Sequence, residues 1–226
     1  VKVDTVRARF EQTAFDYDGL IPRLIPYYRE QQDLIIQLIP FASNDRLKVL
    51  DLGAGTGILS ALVLQAFPQA NVTAFDMAEN MLKICQTNLS AFGPRLTLQQ
   101  GNFAADDFGG GYDLVVSGLA IHHLDGAGKQ QLFHKLFNSM NSGGILLIRD
   151  IVTGATPKLT KQYEQLWREY IKGCGEDDAA YFQAYLEEDI PSSVEEQIQW
   201  LAAVGFSEVG CHWRYLNFAV FGGVKQ

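Results

Sequence analysis

The sequence predicts an α/β protein with a doubly wound, mostly parallel sheet, and three observations carry that expectation. Strand-like apolar runs alternate with helical patterns from about residue 47 to residue 149. The runs are nearly continuous in apolar residues, as strands are when helices cover both faces of a parallel sheet. The first run, Lys48-Val49-Leu50-Asp51-Leu52, passes directly into Gly53-Ala54-Gly55-Thr56-Gly57 and an apolar helix start. In a strand-turn-helix unit such glycines let the backbone turn tightly and let a ligand approach bare main chain.

Taken in order, the core strands are expected at 47–51, 71–75, 95–99, 112–117 and 144–149, with helices at 57–67, 78–91 and 127–140. Right-handed crossovers then place the ligand crevice at the carboxyl ends of the strands. Ahead of the sheet, Val6, Phe10, Thr13, Ala14 and Tyr17 fall at helical spacing and predict a helix over 4–18. A second helix is expected over 23–41, with Pro26 tolerated in its first turns. After Asp150 the rhythm breaks. Residues 156–204 hold two or three helices, the last over 193–204, capped by Ser192 or Ser193 with Glu195 and Glu196 in its first turn. Gly205 ends it, and 206–213 and 217–224 read as two further strands.

A chain of 226 residues with 47% hydrophobic and 19% charged residues suits one soluble domain with a substantial core. No apolar run approaches a bilayer span, and no secretory signal pattern is present, so a cytoplasmic setting is expected. Three cysteines without a C-x-x-C pair argue against a disulfide framework and a cysteine-rich zinc site. The net charge of −8 disfavours a broad nucleic-acid footprint.

The glycine spacing narrows the ligand. The pattern is G-x-G-x-G, whereas the dinucleotide fingerprint is G-x-G-x-x-G/A, and Ile58 stands where its third small residue belongs. No lysine follows before Lys83, which excludes a phosphate loop. Asp51, directly before the turn, suits an ammonium or sulfonium better than a pyrophosphate.

Here the chain resembles the class I S-adenosylmethionine (SAM) dependent methyltransferases. Their first motif is the form of Val49-Leu50-Asp51-Leu52-Gly53-Ala54-Gly55-Thr56-Gly57, and further landmarks follow in order: Phe75-Asp76, Gly101-Asn102-Phe103, Tyr112 to Ser117, and Ser142-Gly143-Gly144. Phe15-Asp16-Tyr17-Asp18 is similar to the opening segment of small-molecule members, in compressed form. The resemblance implies a seven-stranded sheet in the order 3-2-1-4-5-7-6, its last strand antiparallel. It divides one domain into an N-terminal helical cover (1–44), a cofactor core (45–150), a helical lid (151–192), and a last helix with a terminal hairpin (193–226).

The same resemblance implies the cofactor contacts. Asp76 accepts both ribose hydroxyls, Met77 and Phe103 pack the adenine, and Asn102 accepts its amino group. Asp51 with the backbone of Gly53, Ala54 and Gly55 holds the amino-acid end. Ser117, Gly118 and Leu119 line the methionine portion. Ile121-His122-His123-Leu124 offers the second substrate two imidazoles, which adjacent in sequence point apart and so do different jobs. Either His122 or His123 could serve as general base. No third metal ligand stands at suitable spacing, so no metal is expected.

A narrower resemblance, to the carboxy-SAM-dependent tRNA wobble-uridine carboxymethyltransferases, runs through Asp18 to Tyr28, Gly205-Phe206 and Asn217 to Phe221. It marks Tyr28 as the residue closing on the methionine end. Those enzymes need an arginine in the helix before the Gly-Phe pair; Trp200 takes its place here. An extra cofactor carboxylate would lack a cation, which favours plain SAM with S-adenosylhomocysteine (SAH) as product. From Gly173 to Trp213 there are nine Asp or Glu and no Lys or Arg, which speaks against tRNA and for a small-molecule acceptor, cationic or amine-bearing. Tyr163, Trp167, Tyr170, Tyr181, Phe182 and Tyr185 are the aromatic candidates for its pocket. The expected partners are therefore the small acceptor and, in assembly, a homodimer, with neither membrane nor nucleic acid. Two other classes stay open: an NAD-dependent oxidoreductase, and a SAM-binding module without catalysis.

Overall fold

The structure is a computed structural model and describes residues 3–13 and 16–226. Its centre is a seven-stranded sheet in the order β3-β2-β1-β4-β5-β7-β6. The strands are β1 (Lys48–Leu52), β2 (Asn71–Asp76), β3 (Leu96–Gln100), β4 (Tyr112–Gly118), β5 (Met140–Ile151), β6 (Phe206–Tyr215) and β7 (Phe218–Lys225). β1 to β5 run parallel, whereas β7 is antiparallel to both β5 and β6. This is the expected topology.

The helices α4 (Ile58–Ala66), α5 (Glu79–Asn88) and α6 (Gly126–Ser139) are the crossovers, each within a few residues of its predicted span. Two buried clusters cover the two sheet faces. Val49, Leu114, Val116 and Leu147 meet α4 and the helix of residues 28–37 on one side, and Leu50, Leu52, Val115 and Leu146 meet α6 and the helix of residues 194–204 on the other. α9 (Val194–Val204) starts at Ser193, whose hydroxyl and Glu196 form a complete capping box, and stops at Gly205 with φ 118°.

The N-terminal segment departs from expectation. In place of helices over 4–18 and 23–41 there are α1 (Val3–Thr13), α2 (Tyr17–Leu24) and α3 (Tyr28–Gln37). Pro26 explains the second break. A residue before proline avoids the helical region, and Ile25 is extended at φ −110°, ψ 113°; Tyr27 then turns left-handed at φ 54°. Ala14 and Phe15, and with them the start of the opening-segment match, lie outside the described residues.

α1 is tied to the core through Glu11, whose two carboxylate oxygens accept the Glu79 and Asn80 N–H groups at the start of α5. α2 is tied to the glycine turn through Thr56, whose hydroxyl donates to Asp18 at 2.5 Å. The insertion after β5 forms α7 (Pro157–Gly173) and α8 (Asp178–Glu188). It rests on α2, the Trp167 indole donating to the Leu24 carbonyl and Tyr170 to that of Pro22. A third buried cluster, with Ile21, Ile25, Leu119, Ile151, Trp167 and Tyr185, joins the insertion to the ends of β4 and β5.

Candidate active site

A cleft of about 730 Å³ opens at the carboxyl ends of β1, β2 and β4. Its floor is the glycine turn. Gly53 has φ +71°, and a Cβ there would stand 2.4 Å from that of Ala120, so only glycine lets the β1 and β4 loops close together. Gly57, at φ +88°, packs against Cys85 of α5 and Leu89 just past its end, where a Cβ would clash with both.

Of the residues expected to hold a cofactor, Tyr28, Asp51, Gly53, Ala54, Gly55, Asp76, Met77, Phe103, Gly118 and Leu119 line this cleft. Asn102 and Ser117 do not. The Ser117 hydroxyl is buried and donates to the Leu52 carbonyl at 2.8 Å, because strand alternation turns it away from the cleft that Gly118 faces. The Asn102 side-chain oxygen accepts from the Ala104 N–H and closes its own loop. Wall residues beyond the expected set include Phe10, Tyr17, Gln32 and Arg149.

The two aspartates are held by backbone. Asp51 is fully buried and accepts from both the N–H and the hydroxyl of Ser60 at 2.9 and 2.6 Å. Burial raises its carboxyl to about 6, Ser60 and Arg149 pulling down and Asp76 pushing up. Asp76 accepts the Gly55 and Ala78 N–H groups, each at 2.8 Å, so it shapes the turn as well as facing the cleft. Burial raises its carboxyl too.

These shifts have a consequence for binding. An ammonium beside Asp51 favours the ionised carboxylate, so a ligand carrying one must displace the proton when the pH lies below about 6. SAH affinity is expected to fall as pH drops through that value, while 5′-methylthioadenosine, which lacks the amino-acid end, should lose less. Calorimetry at several pH values checks this; parallel losses for the two ligands would contradict it.

A second cleft, of about 780 Å³, adjoins the first and shares Phe10, Tyr17, Leu119 and His123 with it. Trp167, Tyr181 and Tyr185 of the insertion line it, together with Ile21, Ile25 and Ile151. Tyr163, Tyr170 and Phe182 do not reach it. His122 and His123 enter from a short 3-10 turn after β4.

Their surroundings differ. His122 Nδ1 lies 2.5 Å from Asp150, and its Nε2 faces Asp189 at 3.6 Å. Burial works against its charge, but the two carboxylates outweigh that and raise its pKa. His123 Nδ1 faces only acceptors, Asp189 at 3.2 Å and the Glu188 carbonyl at 3.3 Å, so that nitrogen carries the proton. Its Nε2 is buried without a partner. Asp189 also supplies the third donor missing from the sequence pattern: it brings His122, His123 and itself within 4.8 Å of one another. In this structure the three form a hydrogen-bonded and ion-paired network.

Three acids of the insertion are paired with arginines. Glu176 meets Arg23, Asp178 meets Arg168, and Glu188 meets Arg9. The stretch is therefore less of an electrostatic barrier than its composition suggests. Trp200, for its part, packs on Gly126 at the start of α6 and lines neither cleft, so its position is silent on carboxylate binding within one chain.

Residues 49–144 match the protein family described as a methyltransferase domain. Over that stretch the chain is similar to the class I SAM-dependent methyltransferases. SAM is the cofactor of that family, and the cleft fits it: glycine backbone, two aspartates and a buried arginine with two unpaired nitrogens converge there. Among curated relatives, the carboxy-S-adenosyl-L-methionine synthase of Nautilia profundicola is 26% identical over 218 residues, covering 95% of this chain and 93% of that one. The enzyme of the same name from Campylobacter lari is 25% identical, covering 92% and 90%. Solved structures share the fold. PigF with SAH superposes with a TM-score of 0.69 at 17% identity, covering 97% of this chain and 61% of that one. An O-methyltransferase family 2 protein from Planctomyces limnophilus, in complex with apigenin, gives 0.65 at 21%, covering 100% and 62%. This chain thus spans about three fifths of those two proteins. No helix among the described residues is long and apolar enough to cross a membrane.

Proposed function

We propose that the chain methylates a small molecule held in the second cleft, with His123 accepting the proton that the acceptor loses. The observation that supports this reading is the shared wall: an aromatic cleft opens off the cofactor cleft, with His123 on the boundary. SAM, when bound, supplies a methyl group already activated by the sulfonium. The residues then have to hold, align and exclude water. Asp76 is assigned the ribose diol, Met77 and Phe103 the adenine, and Asp51 the amino group. Trp167, Tyr181 and Tyr185 hold an acceptor with an apolar or aromatic body and a hydroxyl or amine. Asp189 keeps the His123 Nδ1 proton in place, leaving the Nε2 lone pair free to receive one. His122, whose pKa is raised by its two carboxylates, favours the charged form and orients Asp189.

A second reading has one specific support, the nearly end-to-end similarity to carboxy-SAM synthases. Under it the cofactor would itself be the substrate and gain a carboxylate. Incubation of SAM with a metabolite library, followed by mass analysis of both acceptor and cofactor, separates the two. SAH with a methylated acceptor supports the first reading; a cofactor heavier by one carboxylate supports the second.

Residues 151–192 are assigned the role of lid, since α7 and α8 line the acceptor cleft and cover the ends of β4 and β5. A cover that admits substrate opens more readily than the sheet beneath. Hydrogen exchange should be faster across 151–192 and 17–30 than in β1, β4 and β5, and SAH should slow it. Exchange in the insertion as slow as in those strands, without ligand, would remove the lid.

A further inference from the structure

Arg149, at the end of β5, is only 3% exposed, and its Nε and Nη1 have no hydrogen-bond partner. Its guanidinium lies 4.5 Å from the centre of the Tyr28 ring, and the Tyr28 hydroxyl interacts with both Arg149 and Gln32. Gln32, from α3, is 6% exposed, and its Nε2 is likewise without a partner. Both side chains line the cofactor cleft next to Asp51, and neither lines the acceptor cleft. No ion pair to Arg149 is formed among the described residues. A buried guanidinium cannot shed its proton, so one with two nitrogens unpaired at the wall of a ligand cleft calls for an anion.

We propose that Arg149, the Gln32 amide and the Tyr28 hydroxyl form a carboxylate subsite for the amino-acid end of the cofactor. Asp51, on the same wall, takes the ammonium, so the zwitterion is read by one buried group of each sign. The planar fork of an arginine suits two parallel bonds to a carboxylate. The placement decides which carboxylate. A group at the transferred carbon would stand toward the shared wall at Leu119 and His123, whereas Arg149 lies behind Gly118 beside Leu59. This assignment rests on SAM as cofactor and not on the identity of the acceptor.

The test compares SAH with its decarboxylated analogue, which differs only in that carboxylate, on the wild-type protein and on Arg149→Gln. Calorimetry should show SAH binding the wild type about 10- to 100-fold more tightly than the analogue, and Arg149→Gln losing that same factor for SAH. Affinity of the variant for the analogue should stay within about twofold of wild type. Equal losses for both ligands would make Arg149 a structural residue, and an unchanged SAH affinity would remove it from the site; either overturns the proposal. A variant that weakens carboxy-SAM more than SAM would assign Arg149 to the transferred carboxylate, which also overturns it. If Arg149→Gln does not fold, Gln32→Leu, read against the same two ligands, should lose affinity for SAH selectively. A wild type that binds neither ligand contradicts the cofactor assignment itself and is distinguishable from all of these.

Discussion

Replacing Asp150 by alanine is expected to destabilise the protein by about 3–5 kcal/mol, the usual cost of removing one partner from a buried ion pair. The side chains of His122 and Asp150 are 5% and 1% exposed. Without Asp150 the imidazole keeps one carboxylate, Asp189, at 3.6 Å and loses its 2.5 Å contact. The pH dependence fixes the mechanism. The folded-state pKa of His122 is raised, so its contribution is fully present below the unfolded value of about 6.5 and is lost as pH rises through the folded one. Chemical denaturation of the wild type against Asp150→Ala should therefore show a gap that is widest in mild acid and narrows in the alkaline direction. A gap independent of pH would mean that the pair contributes by packing alone.

Replacing His123 by alanine is expected to lower kcat by about 10²- to 10⁴-fold, the range for loss of a general base. SAH affinity should change little, because His123 bounds the cofactor cleft on the acceptor side only through its shared wall with the second cleft. The comparison with Asp189→Asn separates positioning from chemistry. An amide at 189 can still face Nδ1 but no longer carries the charge that stabilises a protonated imidazole, so the loss should be intermediate. Equal turnover in His123→Ala would assign the site's contribution to alignment alone, which a methyl transfer permits when the acceptor is already a good nucleophile.

The parts of this protein legible in its sequence are those fixed by local pattern. The strand-turn-helix from Lys48 to Gly57, the Asp76 that follows β2, and the capping box at Ser193 each rest on residues a few positions apart. The order of the sheet came through resemblance and matches the structure. What escaped is of longer range. Arg149 stood in view at the end of an apolar run, Leu146 to Asp150, but its meaning depends on Gln32 and Tyr28 of α3. Asp189 reaches His122 and His123 from the far side of the insertion, so no spacing rule could find it. Pro26 is readable, but proline is tolerated at a helix start, and the restriction it places on Ile25 is what breaks the helix here. Ser117 and Gly118 differ by one position, and only the strand register decides which of them meets the cleft.

The central claim is that a methyl group passes from SAM to a molecule held between the sheet and the insertion. The most direct measurement is turnover with SAM labelled in its methyl carbon, across small hydroxyl- and amine-bearing aromatic compounds, in wild type and in Trp167→Ala. The expected result is label in the acceptor with SAH in equal amount, and a rise in KM for the acceptor in Trp167→Ala with SAM binding unchanged. Label retained in a carboxylated cofactor, or label transferred equally well after the second cleft has been altered, would contradict it.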